Sequence, residues 1–358
     1  MADPDPPNPA SPHHHTPAGF RNNHSDHTSR SLAEVLRWRA NAARHGLPPP
    51  PREPIPRVAP ALEPLRANAV ASAAMRPSAT WIGHATVWIQ AGGFNLLTDP
   101  IFSERASPLR FVGPRRHQPP GVALADLPRI DVVLVSHNHY DHLDAPTVRA
   151  LARQRGGPPL FAVPLGLKAW FAGLGLGEHT VELDWWQSHH LAGPLGTVEL
   201  MLVPAQHWSA RGLNDRMKTL WGGFAVFAPD AQVFFAGDTG YSRDFAEMRQ
   251  RFAERQTPAL GGGFDLALIP IGAYEPRWFM APQHVNADEA VRIHRDLGAK
   301  ASLGIHWGTF ELTDEALDEP PRALRRARAE QAVHEDTFFT LAIGETRWLP
   351  PRAPGKRP

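Results

Sequence analysis

The sequence predicts an α/β protein of αββα architecture, two facing sheets with helices outside. Three observations predict it. Apolar runs of strand length give way to helix-patterned segments, and this happens twice along the chain. Several apolar runs end on a histidine or aspartate beside a turn. Those polar ends stretch from His137 to His306, so one site would draw on donors spread over nearly half of the 358 residues. A single catalytic domain over residues 76–350 follows.

The elements can be justified in order. Residues 1 to about 30 are polar and Pro-rich and are expected to be disordered, and residues 1–75 together read as a leader with one short helix. His13, His14, His15, His24 and His27 cluster there, but such a composition can hardly pre-organise a site, so they carry little functional weight. Ser31–Arg44 reads as the short helix, with Leu32, Val35, Leu36 and Trp38 as its apolar stripe. Prolines from Pro48 to Pro64 then give an extended connector. Thr80–Ile82, Thr86–Gln90, a Gly92-Gly93 turn and Phe94–Thr98 read as paired strands. Asp131–Val135 reads as a buried strand. Ala145–Arg155 is expected to be a helix, with Asp144 as its N-cap and Gly156 just past its end. Asn286–Leu297 is a second, with Asn286 and Glu289 as a capping box and Gly298 as its stop. Leu317–Gln331 has Pro320 and Pro321 near a helix start. Thr337–Trp348 reads as a final strand pair around Gly344. No internal repeat is visible.

Composition excludes several function classes. The net charge is +1, so no general affinity for nucleic acid or anionic membrane follows. There are no cysteines, which excludes disulfides and thiolate metal sites. The first residues lack a basic start and an apolar stretch, so they do not read as a secretory signal. No apolar run reaches the roughly 18 residues a spanning helix needs. A cytoplasmic protein, or one in peripheral contact with a membrane, is the expectation.

The densest chemical signal is Val-Ser-His-Asn-His-Tyr-Asp-His, where His137, His139, Asp141 and His142 fall within six residues at the end of a predicted strand. Imidazole and carboxylate donors without thiolate suit zinc, iron or manganese. Three further donors repeat the grammar of an apolar run, a ligand and a turn: His207, Asp238 and His306. A lone strand-end histidine is more often structural; the four positions together are not.

This ordered set resembles the metallo-β-lactamase superfamily. Further segments resemble its N-acylphosphatidylethanolamine-hydrolysing phospholipase D (NAPE-PLD) branch: Trp81–Thr86, Leu97–Ser103, Ala106–Pro108 with Val112–Arg116, Gln206–Trp208, Phe235–Tyr241, Pro270–Met280, Gln283–Asn286 and Ile305–Phe310. The likeness runs from about Trp81 to about Pro321. It implies two zinc ions (Zn2+), one held by His137, His139 and His207, the other by Asp141, His142 and His306, with Asp238 bridging. Such a pair can share a water and lower its pKa to about 7. The implied activity is phosphodiester hydrolysis by a metal-bridging hydroxide, from N-acylphosphatidylethanolamine to N-acylethanolamine and phosphatidic acid. A homodimer is also implied.

Asp141, His284 and Gln283 are the candidate catalytic residues; the last two match positions that face substrate, and surface or capping roles stand equal beside that. His84 and Asp99 are candidates to orient a ligand. His189 and His190 read as strand surface. Trp278, Phe279 and Met280 could meet an acyl chain, although such residues are more often local core. Two other readings remain open: a dizinc hydrolase of another bond, such as a lactone or a different phosphodiester, and a non-hydrolytic use of the scaffold with iron. Metal analysis and a substrate panel separate them.

Overall fold

The computed structural model describes residues 12–26, 30–212 and 214–352. The first eleven residues and His27, part of the leader reading, lie outside the described residues.

The leader departs from expectation. Strands β1 (His15–Thr16) and β2 (Gly19–Phe20) form a small antiparallel pair. Helix α1 (Leu32–His45) starts on a capping box of Ser31 and Glu34 and stops at Gly46, which is left-handed. Its buried face is Trp38 and Ala42, with Trp38 against Phe279 and Met280. Leu32 and Leu36, predicted as part of the stripe, are exposed. Helix α2 (Leu62–Ala69) follows the proline connector.

Strands β3 (Ser78–Gly83), β4 (Thr86–Ala91) and β5 (Phe94–Thr98) form an antiparallel meander. Gly92 and Gly93 link the last two, both at positive φ, as a two-residue turn matching the strand twist requires. Next come β6 (Val132–Leu134), α3 (Ala145–Leu151), β7 (Leu160–Pro164), α4 (Lys168–Ala172) and β8 (Thr180–Leu183). Helix α3 is shorter than predicted, and Asp144 makes no capping bond. Its carboxylate instead accepts from Ser103 N at 3.1 Å and Ser103 Oγ at 2.8 Å, tying down the loop after β5.

Asp184–Gln187 carry the chain into a second sheet. There lie β9 (Ser188–Gly193), β10 (Gly196–Val203), β11 (Gly223–Phe227) and β12 (Gln232–Phe235). After α5 (Asp244–Arg251) come β13 (Leu266–Pro270), α6 (Arg277–Met280), α7 (Ala287–Leu297), β14 (Ser302–Ile305), α8 (Glu319–Glu330), β15 (Phe338–Phe339) and β16 (Thr346–Trp348). The capping box of Asn286 and Glu289 and the Gly298 stop on α7 are as predicted.

Each sheet has seven strands, in the orders β16-β3-β4-β5-β6-β7-β8 and β9-β10-β11-β12-β13-β14-β15. In both, three antiparallel pairings are followed by three parallel ones. The molecule is therefore two copies of one plan, a duplication the sequence does not display. The predicted strand pair at Thr337–Trp348 is a correction. β15 adds to β14 in one sheet, while β16 pairs with β3 in the other. Between them the chain crosses the sandwich, where Gly344 N donates to Trp81 O at 2.8 Å.

Alternation along the strands builds the layers. Val87, Ile89, Leu96, Val132 and Leu134 point into the main core with Leu200, Leu202, Phe224 and Phe235 of the other sheet. Their neighbours Trp88, Leu97, Val133 and Phe161 point outward onto Leu65, Val148 and Phe171 of α2, α3 and α4. On the far side, α5, α7 and α8 pack Phe245, Val291 and Leu324 on the second sheet. This is the αββα sandwich.

Candidate metal centre

Every predicted donor leaves the carboxyl end of a strand. Asp99 follows β5, and Ser136 to His142 follow β6. His207 follows β10, Asp238 follows β12 and His306 follows β14. The sandwich brings these ends to one edge. The approach is close: a Cβ at Gly237, whose φ is +62°, would lie 2.6 Å from Ser136 Cβ. His84, Asp99 and His306 also have positive φ, at 55°, 30° and 65°. Non-glycine residues hold such backbone only where surroundings enforce it, and three of them meet here.

The structure brings all seven predicted donors together. In one half, His137 Nε2 lies 2.7 Å from His139 Nδ1, which lies 3.3 Å from His207 Nε2. In the other, His142 Nε2 and His306 Nε2 are 3.2 Å apart, with Asp141 Oδ2 3.3 and 3.5 Å from them. Asp238 stands between. Its Oδ2 is 3.0 Å from His142 Nε2 and 4.0 and 3.9 Å from His137 and His207 Nε2, and its Oδ1 is 3.2 Å from His306 Nε2.

These spacings fit metal ions. Tetrahedral zinc with ligands at about 2.0–2.1 Å sets its donor atoms about 3.3 Å apart. Asp238 Oδ1 is buried and makes no hydrogen bond among the described residues. Two imidazole nitrogens aimed at one point, as in His137 and His139, can share at most one proton.

Neighbouring groups fix which nitrogen faces inward. Asp99 Oδ2 accepts from His142 Nδ1 at 2.6 Å, and Asp99 also holds Ser136 N and Oγ. Ser136 Oγ, its proton given to Asp99, accepts from His137 Nδ1 at 2.8 Å. Gln283 O accepts from His207 Nδ1 at 2.9 Å. Each leaves the Nε2 lone pair for the centre. His84 Nε2 donates to Asp141 Oδ2 at 3.0 Å. The expectations for His84 and Asp99 thus meet their partners.

The two halves differ electrostatically. Burial, then neighbouring imidazoles, holds His139 down to about 3, and burial holds His207 to about 4. His137 and His284 are likewise well below the ordinary range. In the other half burial also opposes charge, but Asp238 and Asp141 prevail. His306 is raised to about 9 and His142 well above the usual value. Asp141 and Asp238 are pulled well below the carboxylate range despite burial. Burial raises Asp99.

His284 is half-buried beside the centre, its side chain 12% exposed, its Nδ1 3.9 Å from Asp238 Oδ2 and without a hydrogen bond among the described residues. Gln283 meets the centre through its carbonyl, while its side-chain amide donates to Met280 Sδ at 3.3 Å. His189 and His190 sit on β9 at the surface, as expected. Two supports escaped the sequence reading. Arg211 Nη1 donates to Asn138 O and Leu143 O, at 2.9 and 2.8 Å, with its guanidinium over Tyr140, and so braces the histidine-rich loop. Asn22, from the leader, bonds the backbone of His207. Neither sits in a local pattern that would announce it.

A family model for the β-lactamase superfamily domain matches residues 94–307. The chain belongs to the β-lactamase superfamily. Within it, the chain is 42% identical over 274 residues to N-acyl-phosphatidylethanolamine-hydrolyzing phospholipase D 1 of Caenorhabditis elegans, covering 75% of this chain and 74% of the relative. An uncharacterised protein of Mycobacterium tuberculosis is 40% identical over 308 residues, 85% of this chain and 76% of that one. Solved structures share the fold. An isothiocyanate hydrolase from Delia radicum gut bacteria superposes with a TM-score of 0.56 at 19% identity, over 75% of this chain and 98% of that one. CmlA, a diiron β-hydroxylase from Streptomyces venezuelae, gives 0.52 at 20%, over 76% of this chain and 54% of that one. The chain is thus a metal-dependent hydrolase by family, with His/Asp clusters fit for metal.

Proposed function

We propose that the chain is a two-zinc phosphodiesterase of phospholipase D type. Its substrate is N-acylphosphatidylethanolamine, its products N-acylethanolamine and phosphatidic acid. The observation that supports this most is a pair of adjoining donor sets on either side of Asp238, in a chain 42% identical to a relative named for that hydrolysis. His137, His139 and His207 would hold one zinc, Asp141, His142 and His306 the other, and Asp238 both. When bound, the two ions lower the pKa of a shared water to about 7 and neutralise the phosphate's charge.

The chain's own residues do the rest. Asp99, Ser136 and the Gln283 carbonyl fix three imidazoles in the tautomer that offers Nε2. His284, neutral at pH 7, is placed to donate a hydrogen bond from one ring nitrogen to a phosphate oxygen as charge develops there. Phe279 and Met280 are local core against Trp38, but Trp278, with Arg37 over its ring at 5.4 Å, is 46% exposed on the segment leading to His284 and is the one of the three with open surface to meet an acyl chain. No helix among the described residues is long and apolar enough to cross a membrane.

The test is zinc-loaded protein with vesicles containing the substrate, products read by mass spectrometry. Release of N-acylethanolamine with two zincs per chain is expected. Two zincs without release, but with turnover of a lactone or another phosphodiester, would move the reading to that bond. Two irons with oxygen consumption would end it.

A further inference from the structure

Asn22 lies in the leader, 185 residues before His207, yet it is fully inside the molecule, 2% exposed. Its Oδ1 accepts from His207 N at 2.9 Å, and its Nδ2 donates to His207 O at 3.0 Å. One side-chain amide thus satisfies both backbone groups of a strand-end residue, as a neighbouring strand would. The same Oδ1 accepts from Trp221 Nε1 at 3.1 Å, which fixes the amide's own orientation. On the adjoining residue, Gln206 bridges to Gly240, beside Asp238. With Gln283 O holding its ring, His207 is pinned at three atoms and offers the fourth, Nε2, to the centre.

The segment carrying Asn22 is fastened along its length. His14 and His15 Nε2 donate to the two oxygens of Asp184, at 2.6 and 2.8 Å, where the chain passes from one sheet to the other. The His14 ring packs on Trp185. Phe20 N donates to Met217 O at 2.8 Å, and Asn23 Nδ2 to Asp244 Oδ1 at 2.8 Å. The His14, His15 and Asp184 trio could be taken for another metal site. Its bonding says otherwise: each imidazole donates to its own carboxylate oxygen, so the group is satisfied without an ion.

We propose that residues 12–26 are a strap that completes the three-imidazole half of the centre, with Asn22 the positioning residue for His207 and the Asp184 latch its anchor. This rests on the reading of His207 as a zinc ligand. Without the amide, His207 N and O lose their partners and the backbone after β10 gains freedom that its ring must surrender again on binding metal.

The test is chelator competition for each zinc in the full chain, beside melting of the metal-free protein. Asn22→Ala is expected to weaken one zinc by about 10–100-fold and to leave the other as tight as in wild type. Asn22→Asp keeps the acceptor but repels His207 O, so it should fall between. Asp184→Asn frees the anchor without touching His207 and should shift the same zinc by less. If Asn22→Ala does not fold, the other two variants carry the test. Wild-type zinc affinity in the folded variants, even with a lowered melting temperature, would leave the strap a purely structural element and overturn the proposal. His207→Ala distinguishes the underlying reading: if it holds both zincs as wild type does, the ligand assignment has failed, not the strap.

Discussion

The two halves of the centre are built from different chemistry. Around His137, His139 and His207, burial and mutual repulsion strip protons from imidazoles, so they are neutral at any ordinary pH. Around His142 and His306, Asp141 and Asp238 put protons on. The first half is a set of ready lone pairs. The second is a set of negative charges that must be answered by a cation, a proton standing in when a metal does not. The difference teaches that the halves should load metal with different dependence on pH and on mutation, with Asp238 standing between them.

The largest effect should therefore come from Asp238→Asn. Removing the shared charge leaves the halves uncoupled, and we expect turnover to fall more than about a thousandfold, about 4 kcal/mol of barrier, with loss of bound zinc. Turnover of a phosphodiester and metal content check this. Wild-type behaviour would remove Asp238 from the centre. Next, His139→Ala and His306→Ala should each bring zinc from two per chain to one, from opposite halves. A chain that loses both ions with either substitution would show one indivisible site instead.

The pH dependence separates the halves without mutation. His139 and His207, at about 3 and 4, have no proton to displace above pH 5, so zinc affinity of their half should be nearly flat from pH 5.5 to 8. His306, raised to about 9, carries a proton across that range in the metal-free protein. Zinc must expel it together with the proton on His142, which is also raised well above the usual value, so affinity of the second half should fall by up to about 100-fold per unit as pH drops. Zinc titrations at two pH values read the slope directly. Asp99→Asn acts on the same half at one remove, since it takes the acceptor from His142 Nδ1, and should cost about 10–100-fold in zinc affinity.

What was legible in the sequence follows the same division between local and distant causes. His137 to His142 announce themselves because four donors share one turn, and α7 does because its capping box and stop glycine are adjacent in sequence. His207, Asp238 and His306 were found because each repeats a strand-end grammar. Asn22 and His14 were passed over since their meaning lies in partners 185 and 170 residues away. A polar, Pro-rich composition predicts disorder only if no folded surface offers partners, and here Asp184 and His207 do. Leu32 and Leu36 misled for the converse reason: a helical stripe says which residues could be buried, not which side the neighbour takes. The last strands were misjoined because Phe338–Phe339 and Thr346–Trp348 look like a hairpin locally, while the chain between them crosses from one sheet to the other.

The smallest expected effect concerns Gln283, and it sharpens the comparison by asking how a residue serves the first half. The sequence pointed to its side chain. In the structure Gln283 O accepts from His207 Nδ1, and the side-chain amide donates to Met280 Sδ. A carbonyl survives truncation to alanine. Gln283→Ala should therefore leave both zincs bound and change kcat/KM on the vesicle substrate by less than about threefold, under about 1 kcal/mol. His284→Ala, on the same segment, removes a ring that faces Asp238 and should lower kcat by about 10²–10³-fold while zinc stays bound. If the two variants instead lose activity equally with metal intact, the amide of Gln283 reaches the substrate, and the catalytic surface beside the first half is wider than the carbonyl contact alone implies.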